Sequence, residues 1–333
     1  MNTAQKQRDY LFDNYKVLLI FLVVTGHFIG PGIRNNDFLL ILKWIIVSFH
    51  MPAFIFISGY FSKKTLSLKA LIQKLAVPYL VYEIIYYLFY TYIMHKETGL
   101  LLWKPKFTLW YLMVLFFYRI VTPYVKKIPY YMVFTILAGL LIGFSNMENN
   151  FLSIPRALVF FPYFLAGTCF DKATLARLRE GKKERRTAAV CMGIIVIALT
   201  VIGLLKLAPM QIFYGRYNYL SMRQTMAEGV LWRIFSYVVG FIMTYGIMIF
   251  LSDKKNCLSY IGTRTMAIYL FHGLTYSYLE YCTTLLEGND TVLKTVLLLL
   301  LCAGITLFFS WKPFTSFTNA VSNLSFSFKK RTA

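Results

Sequence analysis

The first long apolar run of the chain reads Asp13-Asn14-Tyr15-Lys16-Val17-Leu18-Leu19-Ile20-Phe21-Leu22-Val23-Val24-Thr25-Gly26-His27. Ionisable groups inside an apolar helix are costly and are kept mainly where they pair or have a function. Lys16 and His27 are eleven residues apart, which on an α-helix is about three turns, or roughly 16 Å along one face. Asp13 falls near the same face. We therefore expect this face to line an active site, with Lys16 near the inner membrane surface and His27 deeper in.

Comparable apolar runs recur along all 333 residues, of which 58% are hydrophobic and only 15% are charged. A soluble domain of this length carries about a quarter charged residues. The runs are continuous and approach the roughly 20 residues that a membrane-spanning helix needs, whereas barrel strands alternate in polarity over about ten residues. The sequence predicts an all-α, polytopic membrane protein with a single domain over residues 1–333.

Ten membrane-spanning helices are predicted from these runs. Proline and glycine residues mark many of the joints between them. The expected spans are roughly 14–33, 38–61, 70–94, 108–125, 129–146, 154–170, 187–207, 229–251, 258–282 and 291–312.

The net charge of +21 would suggest nucleic acid as a partner of a soluble protein. With the N-terminus in the cytoplasm, however, most of the 35 Lys and Arg residues fall in the inner connections. Cytoplasmic loops of membrane proteins are enriched in these residues. The charge is thus explained without nucleic acid, and both termini are expected in the cytoplasm. The densest run, Lys172 to Arg186, is an ordinary cytoplasmic loop or else a contact for anionic lipid or a nucleotide.

The five cysteines contain no C-x-x-C pair, and the four histidines contain no H-x-x-x-H spacing. Such spacings are typical of disulfide frameworks and zinc sites. Neither a disulfide framework nor a metal site is therefore expected.

Six short motifs follow one another along the chain. They are Arg8-x4-Asp13-x2-Lys16-x10-His27, the segment from Phe49-His50-Met51-Pro52 to Ser58-Gly59-Tyr60-Phe61, Lys74-Leu75-Ala76-Val77-Pro78-Tyr79, Leu109-Trp110-Tyr111-Leu112, Phe161-Pro162-Tyr163-Phe164-Leu165-Ala166-Gly167 and the segment from Ile261-Gly262-Thr263-Arg264 to Tyr269-Leu270-Phe271-His272. Their order resembles the acyltransferase-3 family of integral membrane O-acyltransferases, especially its fucose 4-O-acetylase-like subgroup.

The resemblance implies O-acylation, usually O-acetylation, of an extracytoplasmic glycan or glycolipid. Acetyl-CoA is then the cytoplasmic donor, His27 the essential catalytic residue, and the bacterial cytoplasmic membrane the location. The expected partners are acyl-CoA, the glycan acceptor and the lipid bilayer. Nothing in the sequence marks a dimer face.

One motif departs from the family pattern. Many members carry an Arg-x-x-Arg pair at the start of the third span, where this chain reads Leu71-Ile72-Gln73-Lys74. A single basic residue remains. Donor contacts are therefore expected at Lys74, supplemented by Lys69 or Lys64, and Lys16 takes more of the donor-binding role.

His27 suits acyl transfer because a base must take the proton of the attacking hydroxyl, and the unperturbed pKa of histidine lies near neutrality. An acyl-histidine intermediate is a second possibility, and a histidine that only packs in the bundle is a third.

The three other charged candidates have structural alternatives too. Lys16 binds a CoA phosphate, pairs with Asp13 or extends to the membrane surface. Asp13 holds Lys16 or caps the helix. Glu83 lies well inside the third span, where a lone carboxylate is expensive unless it is paired. It is a candidate for the catalytic group, through a hydrogen bond to a histidine or lysine.

Four residues are candidates for acceptor binding. Trp110 and Tyr111 form either part of an interfacial aromatic belt or a platform on which a sugar stacks. Arg156 meets a phosphate of a lipid-linked or polymeric acceptor, or a lipid headgroup. His272 packs in the bundle or binds the acceptor, whereas His50 is interpreted as structural because it adjoins a proline.

Two other function classes fit ten spans with intramembrane charges. One is a transporter, such as a flippase for a lipid-linked sugar, and the other is a non-catalytic acyl-CoA-binding sensor. Transporters often contain repeats with broken helices in corresponding positions, and the sequence shows no such symmetry. The acyltransferase is therefore the favoured interpretation.

Overall fold

The structure is a computed structural model that describes residues 8–288 and 290–324. Of the expected inner charges, Lys6, Lys329, Lys330 and Arg331 lie outside these ranges. The described chain is helical and has no β-strand, which confirms the all-α prediction. Its α-helices are α1 (Tyr10–Phe28), α2 (Asp37–Tyr60), α3 (Leu68–Leu71), α4 (Val77–Leu88), α5 (Trp110–Val125), α6 (Tyr131–Leu141), α7 (Ile154–Cys169), α8 (Lys172–Glu180), α9 (Lys182–Leu204), α10 (Met226–Phe250), α11 (Thr265–Cys282), α12 (Val292–Phe309) and α13 (Lys312–Ser322).

Six helical segments of the described chain are long and apolar enough to cross a membrane, namely α1, α2, α7 with its preceding turn, α9, α10 and α12. The multi-pass character is thus confirmed. The remaining predicted spans coincide with shorter, less apolar or interrupted helices. The third, 70–94, contains π-helical turns at Ile72–Ala76 and Phe89–Ile93, and the fifth, 129–146, consists of α6 and a 3-10 turn at Ile142–Phe144. The number ten stays a prediction.

Helix α2 lies at the centre of the bundle. It packs against α1, α7, α9 and α10, while α1 also contacts α11 and α12. The helix that carries His27 is therefore held between α2 on one side and α11 and α12 on the other.

Helices α2 and α7 cross closely near this centre. A Cβ atom at Gly59 would collide with the carbonyl oxygen of Phe164, and one at Gly167 would collide with the carbonyl oxygen of Phe56. Small residues let helix backbones approach closely in membrane proteins. The two glycines therefore set the spacing of α2 and α7.

The Lys- and Arg-rich connections meet at one end of the bundle, here called the basic end. Lys172 forms an ion pair of 2.9 Å with Asp9, and Arg179 donates to the carbonyl of Leu251 at 2.7 Å. Asp171 caps α8, and the backbone hydrogen bonds that its carboxylate accepts hold its pKa below the usual range. The positive-inside rule predicts that this end faces the cytoplasm.

The two longest connections meet a shorter one at the opposite end, here called the loop end. An ion pair of 2.8 Å joins Lys104 to Glu148, and Asn218 donates to the carbonyl of Ser145 at 3.1 Å. These contacts tie together the three loop-end segments, residues 94–109, 145–153 and 205–225.

The loop-end segments extend into the bundle because two of the helices are short. At 1.5 Å per residue, the 16 residues of α5 span about 24 Å and the 11 residues of α6 about 16 Å, less than the roughly 30 Å of a bilayer core. The remaining depth is filled by irregular chain, in which Lys106, Thr108 and Ser153 are buried. These segments form walls inside the bundle.

Replacing Gly167 by Ala should destabilise the protein, because the added methyl group forces α2 and α7 apart. We expect a loss of about 1–3 kcal/mol in the free energy of unfolding, seen as a lower melting temperature in detergent. Gly193→Ala in α9 is the matched control, since no atom lies within 4 Å of a Cβ there. Equal melting temperatures for the two variants would contradict the proposed crossing.

The orientation can be tested with the native cysteines. Cys257 is exposed in the basic-end connection before α11, and Cys282 is exposed at the loop-end terminus of the same helix. In single-cysteine variants, a membrane-impermeant maleimide should label Cys282 in intact cells and Cys257 only after permeabilisation. The reverse pattern would place the basic end outside.

Candidate active site

His27, the penultimate residue of α1, lines a cavity of about 290 Å³ in the loop-end half of the bundle. We call it the His27 cavity. Its walls combine α1, α2, α7 and α11 with the start of α5 and all three loop-end segments. Its polar lining residues are His27, Lys43, His50, Thr108, Asn150, Arg156, Tyr214, Arg216 and Tyr269. Within residues 8–288 and 290–324, no group of three or more His, Cys, Asp or Glu side chains is placed to hold a metal ion.

Three aromatic rings surround the imidazole of His27. Its centroid lies 4.7 Å from that of Phe107, 5.5 Å from that of Tyr276 and 5.6 Å from that of His272. The side chain is only partly buried, and it has no hydrogen-bond partner in the part of the chain that the structure describes. The packing orients the ring and leaves its nitrogens available to a ligand in the cavity.

His272 lies behind His27 and does not line the cavity. Its Nδ1 is 3.0 Å from the carbonyl oxygen of Ile268, and because a carbonyl only accepts, this nitrogen carries the proton. Its Nε2 is then an acceptor, buried and without a partner among the described residues. The structure thus places His272 beside His27, while acceptor binding by His272 stays a prediction.

Lys16 and Asp13 form an ion pair, with 2.9 Å between Lys16 Nζ and Asp13 Oδ1. Arg8 binds the other carboxylate oxygen at 2.6 Å, so Asp13 joins two cations near the basic end. The side chains of Lys69 and Lys74 are exposed at the same end and have no hydrogen-bond or ion-pair partner among the residues described. These four predicted residues therefore lie apart from His27, at the position expected for donor contacts.

Glu83 is fully buried and holds the loop-end segment 94–109. Its Oε1 accepts the backbone N–H of Lys106 at 2.7 Å, and the ammonium of Lys106 lies 3.8 Å from Oε2 and donates to the carbonyl of Gly99. The next residue, Phe107, packs on His27. Glu83 does not line the cavity but holds the segment that forms its wall, and a catalytic role for Glu83 stays a prediction.

Among the predicted acceptor residues, Arg156 and Trp110 line the cavity together. The guanidinium carbon of Arg156 lies 4.7 Å from the centroid of the Trp110 ring. Tyr111 instead pairs with the hydroxyl of Ser58 at 2.5 Å. Both aromatic residues are buried, so their interpretation as an interfacial belt is wrong.

Sequence reasoning missed Lys43 and Arg216 as cavity residues and assigned His50 only a structural role. His50 does make a structural contact, between its Nδ1 and the carbonyl of Ile46 at 2.7 Å, but it also lines the cavity. Lys43 carried a usable signal, because a lysine within an apolar span is expensive without a function. Arg216 lies in an irregular segment, where no local pattern marks it.

Two further cavities adjoin the first. Towards the loop end, a groove of about 840 Å³ shares Lys43 with it, here called the loop-end groove. Towards the basic end, a small cavity of about 60 Å³ shares Met51 and Tyr269 with it, here called the apolar cavity. The apolar cavity is lined by Ile20, which precedes His27 by seven residues, or about 10 Å along α1. The three spaces follow one another from the basic end to the loop end.

A family model described as an acyltransferase domain matches residues 9–312. The chain belongs to the acyltransferase-3 family. No curated protein and no solved structure gives a significant match. Almost all of the described part of this acyltransferase lies within the matched range, including every residue predicted for its site. Membership supports a membrane acyltransferase in general.

In this acyltransferase, Glu83→Ala should lower the melting temperature, because the N–H of Lys106 loses its acceptor inside the bundle. An unsatisfied buried group of this kind costs about 1–3 kcal/mol. Glu83→Gln keeps an acceptor oxygen and should be affected less. If Glu83→Gln folds normally yet transfers no acyl group, Glu83 has the catalytic role that the sequence predicts rather than a positioning role.

Proposed function

We propose that this acyltransferase moves an acetyl or similar acyl group from cytoplasmic acyl-CoA to a hydroxyl of an extracytoplasmic glycan or glycolipid. The observation that carries the proposal is the position of His27 between the apolar cavity on the basic-end side and the loop-end groove on the other. A donor and an acceptor that approach from opposite membrane faces meet at this histidine. The family match favours this function over a flippase or a sensor.

We further propose ten membrane crossings, with both termini in the cytoplasm of a bacterial cell and the protein in its plasma membrane. The clustering of basic connections at one end of the bundle supports this orientation. The short helices α5 and α6 count as crossings because irregular chain completes their depth. Such chain is tolerated within a membrane where it is buried in protein or lines a cavity.

The proposed donor is acetyl-CoA, with its nucleotide at the basic end near Lys16, Lys69 and Lys74. Its pantetheine arm follows α1 through the apolar cavity and brings the thioester to His27. The Lys16–His27 separation of roughly 16 Å along the helix suits a donor whose phosphates and thioester lie at opposite ends of a long arm. Met51 and Met266 line the apolar cavity, and unbranched methionine side chains can move aside for the arm.

In the first route, His27 acts as a general base. The acceptor hydroxyl attacks the thioester carbonyl carbon while His27 takes its proton. The new C–O bond forms, the C–S bond breaks, and the leaving CoA thiolate takes the proton from His27. The products are the acylated acceptor and free CoA thiol, with His27 returned to its neutral form.

In the second route, His27 carries the acyl group. A ring nitrogen attacks the thioester and displaces CoA thiolate, which leaves an acyl-imidazolium. The acceptor hydroxyl then takes the acyl group, its proton goes to the CoA thiolate, and His27 returns to its neutral form. In both routes negative charge develops on the carbonyl oxygen. Lys43 and Arg156 line the same cavity as His27, where cations stabilise such charge.

Replacing His27 by Ala should reduce acyl transfer from labelled acetyl-CoA to surface glycan by at least about 10²-fold, since general acid–base catalysis contributes roughly 10²–10⁴-fold. Mass spectrometry of the glycan gives the acyl mass and the acceptor together. The control is His95→Asn, because His95 is exposed in a loop-end segment with φ of 51° and Asn tolerates this left-handed backbone.

Near-normal acylation by a His27→Ala protein that still inserts would exclude both routes. Movement of glycan across the membrane without any dependence on CoA would support the flippase. Binding of acyl-CoA without turnover in the wild-type protein would support the sensor.

A further inference from the structure

Three cationic side chains converge on the His27 cavity from separate parts of the fold. Lys43 comes from α2, Arg156 from α7 and Arg216 from the loop-end segment 205–225. No Asp or Glu is among the residues that line the cavity. Glu280, which lines the adjoining groove with Lys43, accepts a hydrogen bond from Tyr276. The wall around His27 is therefore strongly positive.

The groups in direct contact with these cations are neutral, although the carboxylate of Glu280 lines the adjoining groove with Lys43. The guanidinium of Arg156 lies over the ring of Trp110, and Arg216 donates to the phenol oxygen of Tyr217. The Nε of Arg216 is buried without a hydrogen-bond partner in the described chain. The ammonium of Lys43 lies beside Gly30, past the end of α1. None of the three has a salt bridge within residues 8–288 and 290–324.

Unpaired positive charge within a membrane domain is expensive and is kept mainly for a ligand or a partner. Guanidinium groups bind carboxylate and phosphate oxygens with two parallel hydrogen bonds, and an ammonium adds a point charge. Three such groups around one cavity match a single anionic group of a ligand.

We propose that the acceptor carries an anionic group, a carboxylate or a phosphate, next to the hydroxyl that is acylated, and that Lys43, Arg156 and Arg216 bind this group. The inference rests on the proposed function, because it assigns the loop-end side of the His27 cavity to the acceptor. It narrows the acceptor from any glycan to acidic or phosphorylated sugars.

The phosphates of the donor do not account for these cations. The cavity of about 290 Å³ lies at the lower limit of small-molecule pockets and fits one sugar ring better than a whole CoA. The thioester must lie at His27 during transfer, while the phosphates of CoA lie at the far end of the pantetheine arm. An anion that contacts these cations while the hydroxyl is at His27 therefore belongs to the acceptor.

The test measures binding to the purified full-length protein in lipid nanodiscs. The probes are methyl glucuronide, methyl glucoside 6-phosphate and methyl glucoside, which share one ring and differ only at carbon 6. Because a hydrogen bond to a charged group contributes about 1.5–3 kcal/mol, at least one anionic probe should bind about tenfold or more tightly than the neutral one. The tighter anionic probe distinguishes a carboxylate from a phosphate acceptor.

Arg216→Gln and Lys43→Gln should each remove most of this preference. Arg223→Gln should leave it unchanged, because Arg223 is exposed in the same segment and outside the cavity. If Arg216→Gln does not fold, two other variants are compared. Arg216→Lys keeps the positive charge at its position, whereas Lys43→Gln removes one. The proposal is overturned if the neutral probe binds as tightly as both anions, if both cavity variants keep the preference, or if Arg223→Gln loses it equally.

The binding test is independent of turnover. Anion binding that depends on Arg216, without any transfer of labelled acetyl groups, would refute the proposed function and leave the anion site standing. Acyl transfer to glycan without preference for a charged probe would refute the anion site and leave the proposed function standing.

Discussion

The hydrogen bond from the backbone of Lys106 to the buried carboxylate of Glu83 holds the wall of the His27 cavity in place. Backbone groups at membrane depth find no water, so a non-helical segment there must obtain its partners from the protein. Helix α4 supplies this partner through Glu83. The ammonium of Lys106 also donates a hydrogen bond to the carbonyl of Gly99, within the same segment. Phe107 follows directly and packs on His27. The orientation of the histidine therefore depends on a helix that does not itself line the cavity.

The bundle separates apolar from cationic surroundings along the path that leads to His27. Helix α2 contributes to both. Met51 lines the apolar cavity and the His27 cavity, whereas Lys43 lines the His27 cavity and the loop-end groove. The same helix makes the close crossing with α7 at Gly59. Helix α2 thus contributes both to the packing of the bundle and to the site, and a change in its spacing from α7 would move one wall of the His27 cavity relative to another.

Local patterns in the sequence account for the helices and for His27, because a helix and its apolar run are neighbours along the chain. The first predicted span, 14–33, overlaps α1, and the motif in it identifies the histidine that lines the cavity. The depth of residues 94–109 was not predictable in this way, since it depends on how α5 and α6 fall short of the membrane. Arg216 and Lys43 come together only through the packing of distant segments. Tryptophan occurs both at membrane interfaces and in protein cores, so the residue type alone could not show whether Trp110 is buried.

The apolar cavity beside Ile20 also bears on ion leakage across the membrane. In the proposed function, donor and acceptor reach the protein from opposite membrane faces, and a water-filled passage between them would let ions leak down the membrane potential. This cavity is small, at about 60 Å³, and Met51, Phe54 and Met266 are among its lining residues. Hydrophobic constrictions close channels by excluding water. A thioester arm can fill such a constriction as it enters and keep it dry, whereas a hydrated proton or sodium ion would have to shed its water. In the proposed function, the permeability barrier of the bilayer is preserved in this way while an acyl group passes through it.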